Sequence, residues 1–74
     1  MIMNAKPPPI DKMQSREVIF EFRPVGGIMR VSAMDTATMT EITIQCPLTA
    51  GEAVFQKNAL LRLAYVLDKR GLLS

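Results

Sequence analysis

Between residues 21 and 31 the chain reads EFRPVGGIMRV, two adjacent glycines set between arginines. These residue types could close a backbone cradle around a phosphate. Such a cradle needs spaced glycines that open onto a helix N-terminus, where free N–H groups and the helix dipole attract the anion. Gly26 and Gly27 are contiguous and open onto an alternating apolar segment. PVGG (24–27) therefore reads as a four-residue hairpin loop, with Pro24 at its first bend and a glycine supplying positive φ at its end.

The other reactive groups have structural explanations as well. Cys46 is the sole thiol, and no histidine is present to take its proton. It falls on an apolar strand face, where a free cysteine is a small core residue. Glu17, Glu21, Asp35, Glu41, Glu52 and Asp68 mostly serve locally, as cross-strand partner, turn former or helix cap. No two of them converge as acid–base work requires. Without histidine, a zinc site has only carboxylates and one thiol to draw on. The chain is read as non-enzymatic, with no cofactor and no metal.

Arginine supplies the remaining chemistry. Arg23 and Arg30 fall on the polar face of the strands and Arg62 on the polar arc of the helix; these are the candidate nucleic-acid contacts. Nine basic and seven acidic residues leave a formal charge of only +2, short of the concentrated basic face that nucleic acid demands. Single-stranded platforms also stack bases on aromatics, and every strand phenylalanine here points inward. Weak nucleic-acid binding is the alternative reading, not the favoured one.

The elements that would position these residues follow from periodicity. REVIFEF, IMRVSAM and EITIQC each alternate with period two, the mark of a strand with one buried face. With PVGG as the first loop, Phe22 faces Met29, Glu21 faces Arg30, Phe20 faces Val31 and Val18 faces Ala33. With TATM (36–39) as the second, Asp35 faces Thr40, Ala33 faces Ile42, Val31 faces Ile44 and Met29 faces Cys46. Val18, Phe20, Phe22, Met29, Val31, Ala33, Ile42, Ile44 and Cys46 then share one apolar face. Pro47 ends the third strand. Thr49 and Glu52 form a capping box, and a helix runs to Arg70, with Gly71 at the left-handed position beyond it.

The helix turns Ala53, Phe55, Ala59, Leu60, Leu63, Ala64, Val66 and Leu67 to one arc, which should cover the sheet. The fold class is α+β: a three-stranded antiparallel meander with one C-terminal helix on one face (β-β-β-α). Residues 16–74 form the domain. Residues 1–15, with Pro7, Pro8 and Pro9, are expected to be a disordered tail. No secretion signal or membrane span is legible, so a cytoplasmic protein off the membrane is expected.

A second helical stripe, Val54, Leu61 and Tyr65, is not needed to cover three strands and is the candidate interface. A domain this small buries only about 60% of its unfolded surface. A single cysteine cannot staple it internally, so a second copy of the chain is the expected helper and a homodimer the expected assembly. The partner-facing surface is either that stripe or a sheet edge, first of all the edge of REVIFEF. An unknown protein partner is the other possibility.

REVIFEFRPVGG, then VSAMD with its TxTE turn exit and a terminal LAYVLDKR, resembles a small family of bacterial proteins of unknown function, over about residues 16–70. Where proteins resembling it carry a glycine near the end of the second turn, this chain has Met39. The resemblance implies a stand-alone cytoplasmic domain and no catalytic residue.

Overall fold

The computed structural model describes residues 10–73. Strands β1 (Val18–Val25), β2 (Ile28–Asp35) and β3 (Thr40–Pro47) form one antiparallel sheet in the order β1-β2-β3. Helix α1 (Glu52–Lys69) follows, giving the expected β-β-β-α fold. Short 3-10 turns precede β1 (Ile10–Met13) and α1 (Leu48–Ala50).

The strands' alternation builds the core. Val31, Ala33 and Cys46 are buried, and Val18, Phe20, Phe22, Met29, Ile42 and Ile44 pack against them. The helix contributes Phe55, Ala59, Leu63, Ala64 and Leu67, all buried, with Leu60 beside them. Ala53, expected on the same arc, is exposed at the first turn. α1 lies over β2 and β3 rather than β1. Val31, Ala33 and Asp35 of the central strand are therefore buried, while the inner-face side chains of β1, Val18, Phe20 and Phe22, are only half-buried.

The second hairpin has the expected register, with Met29 facing Cys46, Val31 facing Ile44 and Asp35 facing Thr40. The first does not. Val25 pairs with Ile28, Arg23 with Arg30, Phe22 with Val31 and Phe20 with Ala33, so the loop is Gly26–Gly27 alone. Gly26 takes φ +58°. Gly27 does not share it, and positive φ at the first position alone of a two-residue loop is the II′ geometry, whose twist matches that of the strands it joins. The slip moves every pairing by an even number of residues, so each side chain keeps its face. What is lost is the expected Glu21–Arg30 pair: Glu21 faces Ser32, and the two arginines face each other.

Pro24 can lie inside β1 because that strand is an edge. The Thr36 N–H donates to the Glu17 carbonyl at 3.2 Å, extending the ladder past the strand ends. Odd-numbered residues of β1 thus aim their backbone groups at β2. The missing donor of Pro24 falls on the open side, where no ladder partner waits.

The capping box does not form. Thr49 lies within the Leu48–Ala50 turn, and the N-cap is Gly51, at φ 94° and ψ 158° with no side-chain cap. The chain must bend a second time after that turn, in a conformation nearly closed to residues with a Cβ. Gly71 does stand beyond the helix as expected. The Leu72 N–H donates to the Leu67 carbonyl at 2.8 Å and the Gly71 N–H to the Asp68 carbonyl at 3.0 Å, a Schellman closure.

Of the expected tail, residues 1–9, including the three prolines, lie outside the described residues. Residues 10–13 form the first 3-10 turn, and Met13 is buried in the core against α1. A single short turn shows no periodicity, which is why the sequence pattern does not reveal it.

Candidate interaction surface

β1 presents unfilled apolar positions on both faces. On the outer face Ile19 is 50% and Val25 45% exposed. On the inner face a groove of about 370 Å³ runs between the strand and the helix, lined by Phe20, Ala53, Gln56, Lys57 and Leu60. It exists because α1 is centred away from this strand. Phe22 is tied to the helix through Phe55, ring centroids 5.9 Å apart, while Phe20 stacks on Phe22 at 6.5 Å and borders the groove. The backbone groups of Val18, Phe20 and Phe22 that point away from β2 complete an open strand edge.

The helical stripe is less continuous than its spacing suggests. Val54 and Tyr65 are 40% and 43% exposed, but Leu61 between them is half-buried. Arg62 and Lys69 both lie over the Tyr65 ring, 5.5 and 5.6 Å from its centroid. The ring therefore holds cation–π contacts within its own helix and is screened by charge.

The three candidate arginines do not share a surface. Arg23 and Arg30 are cross-strand neighbours on the outer sheet face, where with Glu21 and Ser32 they line a shallow pocket of about 130 Å³. Arg62 is on the solvent side of α1, across the sheet from them. Cys46 is buried and free.

One residue that periodicity does not single out organises the only buried charge among the described residues. Arg16 donates through Nη1 to Asp35 Oδ2 at 2.9 Å and through Nη2 to the Leu72 carbonyl at 2.7 Å. The same Oδ2 accepts from the Thr38 N–H at 3.0 Å and the Thr38 hydroxyl at 2.7 Å, and that hydroxyl is hydrogen-bonded to Thr40 at 2.8 Å. Burial pushes the Asp35 carboxyl up. The Thr38 hydroxyl, the Arg16 guanidinium and the Thr38 N–H outweigh it, and the pKa lies below the ordinary aspartate value. The cluster joins the chain's entry, its second turn and its exit. It has the form of a clasp.

These features describe a small open-edged β-β-β-α module. No helix among the described residues is long and apolar enough to cross a membrane. The chain belongs to a family defined by a domain of unknown function, DUF6898, whose model matches residues 15–70. No curated protein and no solved structure matches it.

Proposed function

We propose that this chain is a non-enzymatic interaction module that associates with itself, and that the open β1 side is its contact surface. The observation that carries the reading is the half-covered edge strand: on the inner face α1 shields β2 and β3 and leaves the groove beside Phe20 to solvent, and on the outer face Ile19 and Val25 are exposed. A second copy would cover these positions and satisfy the edge backbone at once. The screened Tyr65 stripe offers less. The free, buried Cys46 fits a reducing compartment, and we place the protein in the cytoplasm on that ground.

Size-exclusion chromatography with light scattering tests the reading. A dimer is expected at high micromolar concentration, and a strict monomer there overturns it. Anisotropy titration with single-stranded RNA at two salt concentrations tests the competing use of Arg23 and Arg30. Phosphate contacts must weaken steeply as salt rises, and no salt-dependent binding is expected.

A further inference from the structure

Resting on that reading of self-association, we propose that two copies pair β1 against β1 in antiparallel fashion about a two-fold axis at Phe22, so that Glu21 of each copy faces Arg23 of the other. The backbone groups free to pair belong to even-numbered residues, because the odd-numbered ones are engaged with β2. A two-fold axis perpendicular to the sheet keeps both apolar faces on one side only if even residues meet even and odd meet odd. That leaves a short choice of centres.

Centring on Phe20 leaves Arg23, Pro24 and Val25 beyond the paired strands and sets Ile19 against Glu21. Centring on Glu21 places two carboxylates directly opposite each other and Ile19 against Arg23. Centring on Phe22 sets Glu21 against Arg23 twice and Ile19 against Val25 twice. Every outer-face position then meets a complementary one, including the two exposed apolar side chains of the strand. Arg23 also gains the carboxylate that its neighbour Arg30 cannot supply. Pro24 withholds one donor per chain in either longer register, so it does not decide between them.

The inner face accommodates the same arrangement. Each helix lies over β2 and β3 of its own copy. In the joined sheet the two helices stand roughly 19 Å apart, about four strand spacings, well beyond helix contact distance. They do not collide, and the two grooves beside Phe20 merge into one trough.

Disulfide trapping reads the register directly. Both variants carry Cys46→Ala, so that the introduced thiol is the only one. Glu21→Cys chains mixed with Arg23→Cys chains should cross-link under mild oxidation, because opposed non-hydrogen-bonded positions in an antiparallel pair bring Cα atoms within disulfide range. Neither variant alone should cross-link well. Charge reversal provides a second readout on the dimer as it forms in solution: E21R and R23E should each weaken dimerisation about tenfold, and the double variant should restore it. A dimer in which E21C links to itself, or in which the mixture fails to link, overturns the register while leaving self-association standing. A strictly monomeric wild-type chain overturns both.

Discussion

Arg16 Nη1 lies 2.9 Å from Asp35 Oδ2, and the Asp35 side chain is wholly buried. Asp35 Oδ1 has no partner among the described residues. Every favourable contact of the carboxylate therefore converges on one oxygen. Removing Arg16 leaves a buried charge held only by Thr38, so Arg16→Met should destabilise the fold by about 1–3 kcal/mol. A shift of the urea midpoint with unchanged m-value would show this; an unchanged midpoint would mean that the clasp contributes nothing.

The same carboxylate sets an acid limit. Its pKa is depressed in the folded state, so as pH falls the unfolded chain binds its proton first. Its contribution is full above the ordinary aspartate pKa of about 3.9 and is lost as pH drops through the lower folded value. Asp35→Asn should lower stability at neutral pH and flatten the acid limb of the profile. Parallel acid limbs for wild type and variant would refute this role.

Met39 adopts φ +58° at the end of the second turn and is 70% exposed. A side chain there costs about 1–2 kcal/mol against glycine, partly offset by the greater freedom of glycine in the unfolded chain. Met39→Gly should therefore stabilise the protein by about 0.5–1 kcal/mol. Thermal melting checks the sign, and a lower Tm would contradict the assigned conformation.

Two substitutions at the start of α1 distinguish its actual cap from the one its sequence suggests. Gly51→Ala should cost about 1–3 kcal/mol, since its conformation is nearly restricted to glycine. Thr49→Ala, outside the cap, should change stability by less than about 0.5 kcal/mol. Equal losses by chemical denaturation would bring the capping box back.

Tyr65→Ser removes the ring between Arg62 and Lys69. If the β1 edge is the contact surface, dimer affinity should change by no more than about twofold, the scale of a surface substitution. A loss of tenfold or more, measured by analytical ultracentrifugation, would return the interface to the helical stripe.

The face that each side chain occupies was legible in the sequence. Strand and helix periods are local properties of the backbone, so the apolar sheet face and most of the helix's packed arc could be read without knowing what they touch. The exit of α1 was legible for the same reason, because Gly71 marks it from a few residues away. The register of the first hairpin was not. PVGG and a bare glycine pair both keep every side chain on its face, and the choice rests on how the turn's twist matches that of β1 and β2. Nor could the start of α1 be read, since Thr49 and Glu52 have the right spacing but the chain's path out of β3 uses Thr49 in another turn. Met13 and Arg16 gain their roles only from segments distant along the chain: Arg16 meets Asp35 and Leu72 because the sheet and helix bring entry, turn and exit to one corner. Short-range geometry follows from residue order, whereas register, chain path and clasp depend on contacts that exist only once the chain has closed on itself.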